Sequence, residues 1–202
     1  MKDCTKEIYL KFDHERMDFH VLQNAVEEVK ELPEGVVVEC GTGKGIGTRM
    51  IIHGLADTNV KFYSVDPYPK YKGGDVNPYS DLNHPLFHDG EFYREAKDRT
   101  IETLNGLSKI RNVDFEQVNQ DDRIFLKETE EDIRLAFVDS VHTLEHVFSL
   151  AAAIIPKVVV GGIVVFDDVQ CYDHTKVDQL MYDNNFDVVE NTDFKISYRR
   201  RP

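Results

Sequence analysis

The chain has no tryptophan, only three cysteines, and 24 basic residues against 37 acidic ones, for a formal net charge of -13. Cys4, Cys40 and Cys171 are odd in number and form no CxxC spacing, which argues against a disulfide framework or a zinc site and fits reduced thiols in a cytoplasmic protein. Apart from Arg199, Arg200 and Arg201 the basic residues are scattered, so there is no stripe to neutralise phosphates and nucleic acid is not an expected partner. No stretch approaches the ~18 apolar residues of a membrane span. The opening residues are interrupted by charges and lack the apolar core of a signal peptide. A soluble protein with no membrane partner is expected.

What is present reads as a globular α/β protein. Hydrophobic residues make up 41% and charged residues 30%, ordinary values for a packed domain. A length of 202 residues suits one domain able to cover both faces of a sheet. Within this single domain, 1–202, residues 1–33 are expected to form an N-terminal helical segment and 67–91 a lid or substrate loop. The latter is rich in Pro, Tyr, Gly, Asn and His and too long for an ordinary connection.

Val21, Leu22, Ala25, Val26 and Val29 recur at helical spacing before Pro33. Val36, Val37 and Val38 form a continuous β-branched run, as in a parallel strand buried on both faces. Four glycines at 41, 43, 45 and 47 lead into Ile46, Met50, Ile51 and Leu55, again helically spaced. Further strands are expected at Lys61 to Val65, Val113 to Val118, Leu135 to Val138 and Ile163 to Phe166, the last introduced by Gly161 and Gly162. Helices are expected at Phe92 to Leu107, Thr143 to Ile155 and Val177 to Tyr182. Asp187 to Glu190 and Phe194 to Tyr198 read as a closing antiparallel pair. The alternation predicts a Rossmann-like, doubly wound, mostly parallel sheet with a C-terminal antiparallel hairpin, whose ligands bind beyond the carboxyl ends of the strands. Glu39, Asp66, Asp121, Asp139, Asp167 and Asp168 all fall at or just past such ends.

A glycine turn between strand and helix lets a ligand approach backbone N–H groups, which suits several nucleotide cofactors. Here Glu39 stands two positions before Gly41, and Asp66 ends the second strand, where a carboxylate can take both ribose hydroxyls. With its ECGTGKG segment the chain resembles the class I methyltransferases, whose cofactor is S-adenosylmethionine. The resemblance implies that Gly41, Thr42, Gly43 and Gly45 lie against the methionine and ribose part, that Glu39 lies near the amino group and that Asp66 binds the ribose. It also implies that Gln120 and Asp121, with Asp122 as an alternative, lie beside the adenine.

The segments AFVDSVHTLEHV and GGIVVFDDV resemble the metal-dependent small-molecule O-methyltransferases, including those acting on catechols and macrolide sugars. That resemblance implies a Mg²⁺ or other divalent site at Asp139, Asp167 and Asp168, with Asp139 also bordering the cofactor. Three convergent carboxylates repel one another unless protonated or neutralised, which a hard cation accomplishes. His142, in a DxxH spacing with Asp139, is the expected proton acceptor from a hydroxyl substrate. The catechol enzymes resemble a lysine at that spacing, so the histidine points toward the sugar-directed group.

Other readings share parts of this pattern. His142 to His146 also spells HxxEH, an inverted zincin motif. His84, His88, Asp89 and Glu91 are a second polar cluster, and a dehydrogenase would share the turn and the ribose acid. A non-catalytic cofactor-binding or scaffold module stays open. The acceptor's identity and the oligomeric state, with a homo-oligomer allowed, are not written in the sequence.

Overall fold

The computed structural model describes residues 18–67 and 90–202, with only the backbone considered for 90–97. The N-terminal residues through 17 and, of the expected lid over 67–91, residues 68–89 lie outside the described residues, Cys4, His84, His88 and Asp89 among them.

Among these residues, seven strands form one sheet: β1 (Val36–Cys40), β2 (Lys61–Val65), β3 (Asp114–Val118), β4 (Ile133–Val138), β5 (Val158–Phe166), β6 (Phe186–Asn191) and β7 (Ile196–Arg200). Their order across the sheet is β3-β2-β1-β4-β5-β7-β6. The first five are parallel, and β7 inserts antiparallel between β5 and β6, giving the expected Rossmann-like sheet with its antiparallel C-terminal pair. The chain builds outward from β1 to β2 and β3, then crosses to β4 on the other side of β1. That reversal opens a crevice at the carboxyl ends of β1 and β4.

Among the described residues six helices cover the faces: α1 (His20–Val29), α2 (Ile46–Gly54), α3 (Gly90–Ile110), α4 (Asp122–Glu128), α5 (Leu144–Ile154) and α6 (Thr175–Asp183). Side chains of a strand alternate between faces, so each central strand contributes to two cores. Val37, Phe62, Leu135, Phe137, Ile163 and Val165 pack with residues of α1, α2 and α3. Val38, Ala136, Val138, Val164 and Phe166 pack with α4, α5 and α6. All six positions of β4 are buried, which is why its sequence shows no polar alternation.

Two local features depart from the sequence reading. Gly161 and Gly162 do not introduce β5 but lie within it. Ile133 pairs with Val158 and Leu135 with Ile163, so β5 bulges between them, with Gly161 at φ 82. A side chain at Gly162 would meet Val158 Cγ1 at 2.7 Å and the carbonyl oxygen of Val159 at 2.9 Å. Helix α4 was not expected; it is short and is capped by Asp121, whose side chain accepts from Arg123 N.

The buried Arg134 sits at a register shift between β1 and β4. It donates from Nε to Gly35 O at 2.6 Å and from its guanidinium to Val29 O and Lys30 O at 3.4 and 3.3 Å. It thus satisfies carbonyls at the end of α1 that have no partner within the helix. The basic triplet is also spent structurally: Arg199 pairs with Glu28, Arg200 donates to Val158 O, and Arg201 pairs with Asp187. Among the described residues no helix is long and apolar enough to cross a membrane.

Candidate active site

The turn after β1 carries three glycines with left-handed backbones, Gly41, Gly43 and Gly45, at φ 95, 47 and 73. Their surroundings differ. A Cβ at Gly41 would lie 2.1 Å from the carbonyl oxygen of Asp139, whereas one at Gly43 would meet nothing within 4 Å. Gly41 therefore closes the turn against the end of β4, and Gly43 faces open space where a ligand can approach the backbone.

Asp66 presets this turn. Its Oδ2 accepts from both Thr42 N and Gly43 N at 3.1 Å. Beneath the turn runs a buried polar chain. Gln117 Nε2 donates to Thr42 Oγ1 at 3.1 Å, and Thr42 Oγ1 lies 2.7 Å from Ser64 Oγ. Ser64 and Thr48 hydroxyls both donate to Glu39 Oε2, at 2.5 and 2.6 Å. Glu39 and Ser64 are register partners on adjacent parallel strands, which places their side chains on the same face.

Glu39 is fully buried, and its Oε1 has no hydrogen-bond partner. Burial pushes its carboxyl up to about 8, against the lowering effect of the two hydroxyl donors. Such a buried polar atom without a partner is costly unless a ligand supplies one.

The residues expected beside the adenine are locally engaged. Gln120 Nε2 donates to Glu128 Oε2 at 2.8 Å. Asp121 takes both the Nε and a terminal nitrogen of Arg123, at 3.1 and 2.8 Å, and that guanidinium holds its carboxyl below the usual range. Gln120 also lines a cavity of about 540 Å³ with Tyr63, Phe125 and Glu128.

At the ends of β4 and β5, Asp139, His142 and Asp168 each offer a ligand atom within 4.8 Å of the others. His142 Nε2 lies 3.4 Å from Asp139 Oδ1, and its Nδ1 lies 3.4 Å from Asp168 Oδ2. Burial alone would lower the imidazole's pKa, but Asp139, with Asp168 and Asp167, outweighs it and raises the value. Burial likewise raises the pKa of Asp139. Asp167 is not in this group. Its Oδ1 is held by Lys195 Nζ at 2.6 Å, and burial with the nearby Asp139 charge pushes its carboxyl up to about 7. Asp168 lies in the left-handed region, at φ 49 and ψ 38, so the chain turns between the two aspartates and they face different partners.

The donor spacing fits a divalent ion, since oxygen and nitrogen ligands at roughly 2.0–2.6 Å from one centre can stand as much as about 4–5 Å apart, and this cluster's atoms lie within 4.8 Å of one another. The HxxEH reading does not assemble. His146 Nε2 instead lies 3.0 Å from Asp122 Oδ2 and 3.1 Å from Ser140 Oγ, apart from the His142 cluster. Because Ser140 and Asp122 share one ring nitrogen, this is not a nucleophile–base–acid relay either, which needs opposite nitrogens.

Sequence reasoning missed Ser64, Thr48, Gln117 and Lys195. A polar residue in an otherwise buried strand beside Glu39 was a usable signal for Ser64. Nothing in the sequence distinguishes Lys195 from a solvated turn lysine.

Solved structures share the fold. CalS11, a calicheamicin methyltransferase, superposes with a TM-score of 0.66 at 18% identity, covering 98% of this chain and 86% of that one. The O-methyltransferase NovP gives 0.61 at 17% identity, covering 92% and 80%. An rRNA methylase from Streptococcus thermophilus gives 0.54 at 16% identity, covering 91% and 96%. No curated protein sequence matches the chain significantly. A sequence profile described as a methyltransferase domain matches residues 38–169, more than half of the chain and all of the site from Glu39 to Asp168, and the chain belongs to this family.

Proposed function

We propose that this methyltransferase transfers a methyl group from S-adenosylmethionine to a hydroxyl of a small molecule with the help of a divalent cation. The observation that carries the reading is the direct contact of Gly41 with the Asp139 backbone. It sets the cofactor turn beside the Asp139, His142 and Asp168 cluster.

The residues fit both ligands. Glu39 Oε1 is a buried polar atom with no hydrogen-bond partner, which a polar group of the cofactor would satisfy, and the open side of Gly43 admits a ligand to the turn. Asp66, already fixed by the turn's amides, is placed for ribose hydroxyls. Asp139 and Asp168 supply hard oxygen donors for Mg²⁺. When bound, S-adenosylmethionine supplies the electrophilic methyl, and the cation makes a coordinated hydroxyl more acidic.

His142, whose ring nitrogens lie 3.4 Å from Asp139 Oδ1 and Asp168 Oδ2, accepts the hydroxyl proton on a ring nitrogen. The site orients the acceptor oxygen in the crevice. Solvent-facing acidity of the chain as a whole disfavours strongly anionic acceptors.

Calorimetry with S-adenosylmethionine, followed by methyl-transfer assays on a panel of sugar and phenolic hydroxyl compounds with Mg²⁺ or chelator, tests the reading. Binding of the cofactor with chelator-sensitive transfer to a hydroxyl is expected. Transfer that is full in chelator would remove the metal, and transfer only to nitrogen or to RNA would remove the hydroxyl acceptor.

A further inference from the structure

Lys195, in the turn between β6 and β7, has no exposed surface. Its backbone is fixed by Thr192: Lys195 N donates to Thr192 Oγ1 at 2.9 Å, and Lys195 O accepts from Thr192 N at 2.8 Å and from Thr192 Oγ1 at 2.9 Å. The side chain is as constrained as the backbone. Its ammonium stands 4.0 Å from the centroid of the Phe19 ring and 2.6 Å from Asp167 Oδ1. The same oxygen accepts from Asp168 N at 2.7 Å.

Two strong donors on Oδ1 make that oxygen a poor metal ligand, because its coordination would disrupt a buried ion pair, and Asp167 falls outside the cluster that Asp139, His142 and Asp168 form. The amide contact from Asp168 also stabilises the left-handed turn that aims the Asp168 carboxylate at His142. Adjacent aspartates after β5 thereby acquire different tasks.

We propose that Lys195 is a positioning residue of the site: it occupies Asp167 as an internal cation, leaving Asp139 and Asp168, on either side of His142, as the carboxylates offered to a divalent ion. The family's pattern of two adjacent acids is present in the sequence, but one of them is neutralised from within the protein. The inference rests on the metal reading above.

Mn²⁺ titration followed by calorimetry and electron paramagnetic resonance separates the two. On the native background, Asp167→Asn should change Mn²⁺ affinity by no more than about threefold, while Asp168→Asn should weaken it at least about tenfold, as for loss of a ligand or its immediate support. Equal losses in both variants would overturn the proposal. Lys195→Met should free Asp167, tighten Mn²⁺ binding about tenfold or more and alter the Mn²⁺ spectrum, a gain that adding Asp167→Asn should abolish. A folded Lys195→Met chain with no gain would overturn it, and if that variant does not fold, Lys195→Gln, with a neutral donor beside Asp167, takes its place.

If the wild-type chain takes up no Mn²⁺, the metal reading fails, and the lysine variant alone decides this inference. Uptake created by removing the ammonium supports it, and none overturns it.

Discussion

The backbone of Gly41 lies against that of Asp139, so close that a methyl group at position 41 would fall 2.1 Å from the Asp139 carbonyl oxygen. Asp139 N in turn donates to Cys40 O at 2.8 Å, and Gly41 N to Val65 O at 2.8 Å. Three strand ends are thus tied together at the point where the sheet reverses direction.

Gly41→Ala should therefore destabilise the fold by about 2–4 kcal/mol, combining a positive φ with a backbone clash. Gly43→Ala, with the same handedness but open space, should cost only about 1 kcal/mol. It should lose cofactor affinity out of proportion to its stability, because its methyl group enters the space kept for the ligand. Denaturant unfolding with cofactor calorimetry on both variants checks this; equal stability losses would contradict it.

Glu39 gives the free protein a pH-dependent stability with a definite sign. Its carboxyl is raised from 4.5 to about 8 in the folded state, so across that window the native chain holds a proton that the unfolded chain has released. Its contribution to stability accordingly declines as pH rises from about 4.5 to about 8 and is constant outside those limits. In Glu39→Gln this component disappears. The variant's unfolding free energy relative to wild type should climb with pH by up to about 1.4 kcal/mol per unit within the window. Urea melts at several pH values without cofactor provide the test, and a difference that is flat with pH would contradict it.

The two histidines of the HxxEH string should separate cleanly. His142→Ala should reduce methyl transfer by about 10²–10⁴-fold, the usual contribution of a general base, with little loss of stability. His146→Ala strands the buried Asp122 carboxylate and should cost about 1–3 kcal/mol of stability, while the folded fraction retains transfer. Thermal unfolding and initial rates on the same preparations distinguish them, and the reverse assignment would move the base to His146.

Arg134→Met should lower stability by about 2–4 kcal/mol through loss of charged hydrogen bonds to buried carbonyls. Cofactor affinity should be unchanged in the folded protein, since Arg134 acts at the opposite end of β4 from Asp139. Denaturant unfolding and cofactor calorimetry read the two effects separately.

The strands were legible because burial on both faces leaves Val36 to Val38, Leu135 to Val138 and Ile163 to Phe166 as uninterrupted apolar runs. The edges and short elements were less so. Helix α4 is too short to show a period, and its start is set by the Asp121 cap. Gly161 and Gly162 look alike at the start of a strand and in the middle of a bulged one, and only the pairing of β4 with β5 tells these apart.

By itself the sequence determined the alternating strands and helices, the glycine turn after Glu39, and the carboxylates at the strand ends, because periodicity and strand-end chemistry are properties of neighbours along the chain. The tertiary structure decided which of those groups meet. Ser64, Thr48 and Lys195 reach Glu39 and Asp167 from elsewhere in sequence, and a left-handed turn at Asp168 sends adjacent aspartates to different partners. Burial then sets their protonation, since the energy of a charge depends on what surrounds it in space rather than on its place in the chain.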